Sequence, residues 1–380
     1  MNPKERVITE FKRKYNQDPK WVVRSPGRVN LIGGHTDYND GFVLPMAINY
    51  ATWIALRPRS DKKVVVRSLD LDGRIEFDLD DFENTDSGWG EYVKGIAWAL
   101  LEDGLQLSGW EGVLSGNVPI GSGLSSSAAL ELSVAKAFSL TSGFSWDVLK
   151  ISKIAQLAEN DWVGMKCGIM DQLISAAGEK DHALLIDCRT LESSPVPLPA
   201  GTAVVVLDTN THRGLVDSAY NERREQCESA AEFFGVSKLR DVNLDEFHKR
   251  ETEMDPLSRK RARHIITEND RVQKSAEAMK NGDAQLLGNL ISAAHKSISE
   301  DYEVSSKELD LIVEIALEQP GCFGSRMTGA GFGGCAVALV DEDQLDSFVT
   351  NIMGQYKNKA GLEAKVYVSR ACEGTSVIEM

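Results

Sequence analysis

The 380-residue sequence contains no apolar run that approaches the length of a bilayer span, so no membrane-crossing helix is expected. Its six cysteines, Cys167, Cys188, Cys227, Cys322, Cys335 and Cys372, include no Cys-x-x-Cys pair. In a chain this long, that argues against a zinc site and a disulfide scaffold. The first residues mix Lys4, Glu5, Arg6 and Glu10 with apolar ones, so no secretory leader is expected. Basic charge is also in short supply: 42 Lys and Arg stand against 57 Asp and Glu, a formal net charge of -15. A field of that sign repels nucleic acid and anionic membranes, yet leaves room for a local cationic pocket. The expected compartment is the reducing cytoplasm.

What is present suits a globular protein, with 42% apolar and 26% charged residues. The length exceeds one ordinary core and predicts two domains, residues 1–200 and 201–380, meeting near Pro199-Ala200-Gly201. β-Branched runs at Val64–Val66, Ala203–Leu207, Ala336–Val340 and Val366–Val368 read as strands. Ile151, Ile154, Ala155, Ala158 and Trp162 line one face of a helix expected to begin at Ser145. Ser305 and Glu308 have capping-box spacing for a second helix that stops before Pro320-Gly321. The charged stretch Asp217 to His295 is mostly helical in pattern. The fold class is α+β.

The strongest local pattern is Pro119-Ile120-Gly121-Ser122-Gly123-Leu124-Ser125-Ser126-Ser127-Ala128-Ala129. Glycines let a backbone expose its N–H groups, and the serines stand where a helix of small residues begins. Such a helix start attracts phosphate through its unpaired N–H groups and its dipole. The same residues would also make a plain Gly/Ser turn with a serine cap. No Gly-Lys-Ser/Thr follows, so this is not a Walker A loop. Gly329-Ala330-Gly331-Phe332-Gly333-Gly334 matches the dinucleotide pattern G-x-G-x-x-G, but leads into the strand-like Cys335–Val340 instead of a helix. A tight turn fits it better than a dinucleotide site.

Arg24 to Asn39 gathers Arg28, Asn30, His35, Asp37 and Tyr38 around Val29, Leu31 and Ile32, on a chain bent by Gly33-Gly34. Polar groups in this density suit a sugar, which needs many directed hydrogen bonds; a surface hairpin turning at Asn39-Asp40-Gly41 suits the segment equally. Asp171 lies between Met170 and Leu173-Ile174, so burial is expected, and a buried carboxylate beside an arginine can accept a hydroxyl proton. Glu159 offers an oxygen for Mg²⁺. Each carboxylate is also compatible with an ordinary helix-end or surface role.

Together these segments resemble galactokinases of the GHMP kinase superfamily, from end to end. Arg28 to Leu44 is similar to the galactokinase signature, Pro119 to Ala128 to the phosphate loop, and Arg326 to Gly334 to the third family motif. Cys167 to Gln172 and Tyr220 to Cys227 add two further matches. The resemblance implies an N-terminal α+β domain, a ferredoxin-like C-terminal domain, and an active site in the cleft between them. It implies ATP and Mg²⁺ as cofactors and phosphorylation of the C1 hydroxyl of galactose. By the same resemblance, Asp171 is the base and Arg28 its electrostatic partner. Gly34, His35, Asp37, Gly168 and Tyr220 hold the sugar. Trp89, Gly121, Ser122, Gly123, Leu124, Ser125 and Ser126 hold ATP, and Ser127 and Glu159 hold the metal. The implied partner is a small sugar, with no nucleic acid and no membrane, and the chain is expected to be a monomer or a weak oligomer.

One position departs from the pattern. Galactokinases of this signature usually read Gly-Glu-His-Thr-Asp, the Glu meeting the C6 hydroxyl, whereas this chain reads Gly33-Gly34-His35-Thr36-Asp37. Loss of that acceptor removes about 1.5–3 kcal/mol of binding unless something replaces it. Lys166 is a candidate for a compensating cation, or else a solvated loop lysine. A kinase for galacturonate or another C6-variant hexose is the alternative. A non-catalytic sugar and ATP sensor is a third reading, opposed by the presence of Gly121–Ser127, Arg28, Glu159 and Asp171.

Overall fold

The computed structural model describes residues 1–211 and 216–380, the side chains of 216–218 excepted. Its strands, in chain order, are β1 (Trp21–Ile32), β2 (Phe42–Pro58), β3 (Lys63–Ser68), β4 (Arg74–Asp78), β5 (Trp110–Gly116) and β6 (His182–Asp187). They continue as β7 (Ser193–Pro197), β8 (Thr202–Asp208), β9 (Cys322–Thr328), β10 (Cys335–Asp341), β11 (Lys365–Ser369) and β12 (Ser376–Glu379). The first sheet runs β12-β1-β2-β5-β3-β4, with β6 paired to β2 and β7 to β6; the second runs β11-β8-β10-β9. Among the described residues, neighbouring strands pair antiparallel, except that β3 and β5 run parallel.

All four expected strands form, within β3, β8, β10 and β11. β8 reads as an unbroken apolar run because both its faces are covered. Val205 and Leu207 pack with Ala336 and Ala338 in one core. Val204 and Val206 pack with Val29 and Leu31 of β1 and with Val272 of helix Pro256–Lys280 in another. That second core is common to both sheets and locks them together. The α+β class stands, built on two sheets that share one core.

Three local expectations are corrected. The helix expected from Ser145 spans Val148–Leu157, because the Asp147 carboxylate caps it by accepting from the Lys150 N–H at 3.0 Å. The helix ascribed to Ser305 is capped by Ser306, whose hydroxyl accepts from the Leu309 N–H, while Ser305 donates to Asp310 at 2.5 Å. Finally, the chain enters the second sheet at Thr202, but β12 returns to pair with β1, Trp21 opposite Glu379. A simple cut at residue 200 therefore misplaces the last strand.

Gly329–Gly334 joins β9 to β10 as a turn, not as the start of a helix. Gly329, Gly331, Phe332, Gly333 and Gly334 all have positive φ. A β-carbon on Gly331 would come within 2.2 Å of the Val304 carbonyl oxygen, so close packing as well as conformation selects glycine there.

Candidate active site

Between the sheets lies a cavity of about 350 Å³, walled by the N-terminal polar segment, the glycine-rich loop and the Gly329 turn. Gly121 and Gly123 adopt φ of 74° and 77°, and Ser125 a φ of 57°. These left-handed residues turn the chain so that helix Ser126–Ser142 starts at the cavity wall, where Gly121, Gly123, Ser125, Ser126 and Ser127 all lie. A helix of this length, begun on a glycine-bent loop, directs unpaired backbone N–H groups at an anion.

Arg28 and Asp171 are 143 residues apart in sequence and meet on this wall. The guanidinium donates to both carboxylate oxygens, Nε at 2.7 Å and one terminal nitrogen at 2.6 Å. Its other terminal nitrogen donates to the Gly123 carbonyl at 2.6 Å, tying the ion pair to the glycine-rich loop. The Ser125 hydroxyl donates to Asp171 as well. Arg28 is buried, while 22% of the Asp171 side chain is open, which leaves the carboxylate accessible from the cavity.

Next to this pair stand further carboxylates. Glu159 sits on a π-helical turn, Ala158–Val163, that prolongs helix Val148–Leu157. Burial, and then the charge of Asp171, raise its pKa above the usual carboxylate range, while hydrogen bonds from Ser127, Cys167 and Gln172 oppose the shift. Asp37 is pushed up to about 6, first by burial and then by Asp171. His35 is moved the other way, down to about 3, chiefly by burial, so its ring is neutral at physiological pH. Its Nδ1 shares a 2.9 Å hydrogen bond with the Tyr38 hydroxyl, which in turn shares one with Tyr302 at 2.6 Å. Tyr220 packs on the His35 and Tyr38 rings at 5.4 and 5.3 Å between centroids. Gly168 lies against Asp37: a β-carbon there would be 2.0 Å from Oδ2.

Gly34 lines the cavity with both backbone groups engaged, its N–H donating to Glu268 at 3.2 Å and its carbonyl accepting from His264 at 3.0 Å. A β-carbon at this position would meet a terminal nitrogen of the buried Arg326 at 2.5 Å. The guanidinium therefore takes the space in which a side chain at residue 34 would begin. Lys166, half exposed at the mouth, pairs with Asp161 at 2.9 Å.

Three of the expected residues do not face the cavity. Trp89 turns its indole N–H to the Asp72 carbonyl at 3.1 Å. The Ser122 hydroxyl is taken up by Asp208 of β8 at 3.0 Å, and Leu124 is buried in the core shared by the two sheets. The side chains of Ser122 and Leu124 thus turn away from the cavity, while the neighbouring Gly121, Gly123 and Ser125 stay on its wall. Asn30 of the polar segment lines the cavity too, as do Tyr92, Ile120, Met165, Asn221 and Ala330, to which sequence reasoning assigns no role there. Ile120 and Leu124 are the two large apolar residues of that loop, and of these Ile120 stands exposed at the cavity.

The Galactokinase galactose-binding signature matches residues 9–58, the GHMP kinases N terminal domain residues 91–179, and the GHMP kinases C terminal domain residues 275–358. A galactokinase of Actinobacillus succinogenes is 45% identical over 98% of this chain and 99% of its own length. A galactokinase of Roseiflexus sp. is 44% identical over 96% and 94%. Among solved structures, Lactococcus lactis galactokinase complexed with galactose superposes with a TM-score of 0.93 at 36% identity, covering 98% of each chain. A Methanococcus jannaschii mevalonate kinase, 18% identical with a TM-score of 0.68, shares the fold over 93% of this chain and 98% of that one. With likeness of this degree running through nearly the whole of both chains, the protein belongs to the galactokinase family of GHMP kinases.

Proposed function

We propose that this kinase transfers the γ-phosphoryl group of ATP to the anomeric C1 hydroxyl of galactose, with Asp171 as the base. The C1 oxygen forms a bond to the γ-phosphorus, the bond from that phosphorus to the bridging oxygen breaks, and ADP departs. The hydroxyl proton passes to Asp171. The observation that carries this reading is the two-point Arg28–Asp171 pair, hydrogen-bonded to the same loop that presents a helix N-terminus to the cavity. Arg28 holds the carboxylate in place and puts positive charge beside the phosphoryl group. Phosphoryl transfer needs such positioning and charge neutralisation more than covalent chemistry.

His35, Asp37, Gly168 and Tyr220 would hold the sugar, with Gly34 beside it. The backbone from Gly121 to Ser126 would hold the phosphates. For Mg²⁺ the donors fit: the Ser127 hydroxyl and the Glu159 carboxylate are hard oxygens on the wall, and the Asp171 charge that raises the Glu159 pKa is one a cation would offset. Among the described residues no three His, Cys, Asp or Glu side chains form an all-protein metal cage. Mg²⁺ commonly takes most of its ligands from phosphate and water. When bound, Mg²⁺ would neutralise phosphate charge. The same reading places the enzyme in the cytoplasm, as a monomer or a weak oligomer. Among the described residues no helix is long and apolar enough to cross a membrane.

The test is ATP consumption with Mg²⁺ across galactose, galacturonate, 6-deoxygalactose, N-acetylgalactosamine and glucose. The highest kcat/KM is expected on galactose. Preference for a C6-altered sugar would show that Gly34 has redirected specificity, and no turnover with any of them would overturn the reading.

A pH dependence follows from Asp37. Its pKa of about 6 means that the carboxylate acceptor is lost as pH falls through that value. Galactose KM is expected to rise about tenfold between pH 7 and pH 5, as for any single group that must be ionised to bind. Folding stability shifts in the opposite sense. Because the pKa is raised from 3.8, the native state binds the proton more tightly than the unfolded chain does, and Asp37 favours folding more as pH falls from 6 towards 4. A galactose KM that stays flat over this range would remove Asp37 from the sugar contacts.

A further inference from the structure

Glu131 lies on helix Ser126–Ser142, one turn beyond Ser127, and is fully buried although glutamate is among the residues least often found so. Among the described residues its side chain has one hydrogen bond: Oε2 accepts from Gln172 Nε2 at 3.3 Å. The same Gln172 nitrogen donates to Glu159 Oε2 at 2.5 Å. Gln172 is itself fully buried, on helix Met170–Ala177, one residue after Asp171. A single amide thus bridges two carboxyl groups from separate helical elements, of which Glu159 lines the cavity. Glu131 Oε1 and Gln172 Oε1 meet no hydrogen-bond partner among the described residues. A buried acid with half its capacity unused is an expensive way to fill a core, and an apolar residue of similar volume would pack there without that penalty.

We propose that Glu131 is a positioning residue for the Glu159 carboxylate, acting through Gln172. The proposal rests on the reading of Glu159 as an oxygen ligand for the divalent cation. Glu159 stands on a π-helical turn, a feature frequent at functional sites, and its side chain is supported by groups from outside that turn. That support comes in part from the Cys167 thiol, which donates to Glu159 Oε2 at 3.3 Å, and in part from Gln172. Gln172 in turn has Glu131 as the acceptor that holds its amide in orientation. Because Ser127 and Glu131 share one helix, the link also ties Glu159 to the element that supplies the hydroxyl ligand. Groups that orient a metal ligand in this way are commonly worth about 10–100-fold in metal affinity.

The experiment measures Mn²⁺ binding to the full-length protein in the presence of ADP, without sugar, by electron paramagnetic resonance. The proteins compared are the wild type, Glu131→Gln, Glu131→Leu, Gln172→Leu and Glu159→Ala. Glu131→Gln keeps the length and an acceptor oxygen, and should bind Mn²⁺ within about threefold of wild type. Glu131→Leu and Gln172→Leu should each bind at least about tenfold more weakly, as expected for groups that orient a ligand, with galactose KM changed less than about twofold. Thermal unfolding reports whether each variant is folded, and two separate leucine variants keep the link testable if one of them is not. Mn²⁺ binding that depends on Glu159 but is unchanged in both leucine variants would overturn the proposal alone. A Glu131→Gln loss equal to that of Glu131→Leu would also overturn it, since an acceptor of the same length would then not suffice. Wild-type binding no tighter than that of Glu159→Ala would remove the reading of Glu159, and the proposal with it.

Discussion

Asp171→Asn is expected to lower kcat by about 10³-fold, the scale on which a general base contributes, while leaving the KM for ATP within a few-fold. The substitution changes few atoms, so the shape of the cavity survives. It removes the site for the proton and replaces one acceptor oxygen of the Arg28 pair with an NH₂ that cannot accept from the guanidinium. It also alters the partner of the Ser125 hydroxyl. The grip proposed for this loop on an anion would come from backbone N–H groups at the start of helix Ser126–Ser142, and these do not depend on Asp171. Steady-state kinetics on galactose, with nucleotide affinity measured separately, check the split. A variant with wild-type kcat would remove Asp171 from the chemistry. Weakened ATP binding at unchanged kcat would recast the Arg28–Asp171 pair as a brace for the loop.

Gly168→Ala is expected to raise the KM for galactose by roughly 10²-fold, with ATP affinity nearly unchanged, because an ångström-scale displacement of a positioning group has effects of that size. The added methyl would stand 2.0 Å from Asp37 Oδ2 and 2.4 Å from its carboxyl carbon, well inside contact distance. Asp37 is held from the other side, where Oδ1 accepts from the Tyr38 N–H at 3.0 Å. A carboxylate that swings into the cavity it lines would lose its place as an acceptor and would occupy the volume proposed for the sugar. The methyl is small and Gly168 has an ordinary φ, so the fold itself should tolerate the change. Thermal unfolding within a few degrees of wild type, alongside the raised KM, would separate this from general destabilisation. Unchanged KM would mean that the sugar does not rely on Asp37.

How much of the site was legible depended on the range of the interaction. The turn at Gly329–Gly334 was readable because glycine spacing and the strand that follows are local facts. So was the buried strand β8, whose run of valines needs cover on both faces. Helix starts were readable to within a few residues, since Ser145 and Asp147, or Ser305 and Ser306, compete as caps and only side-chain geometry selects between them. Contact sets were read less well. Ser122, Leu124 and Trp89 stand in the right segments, but their side chains are engaged by Asp208, the shared core and Asp72.

The sequence by itself determined the solvated α+β character of the chain, its principal strands, and the loop whose glycines and serines suit phosphate. Those properties follow from composition, periodicity and backbone freedom, which act over a few residues. Only the tertiary structure decided that Arg28 meets Asp171 in a two-point pair, that the last strand returns to the first sheet, and that Glu131 reaches Glu159 through Gln172. Such pairings join residues far apart in the chain. They exist because the common core of Val29, Val204, Val272 and their neighbours fixes how the two sheets face each other, and no local pattern encodes that placement.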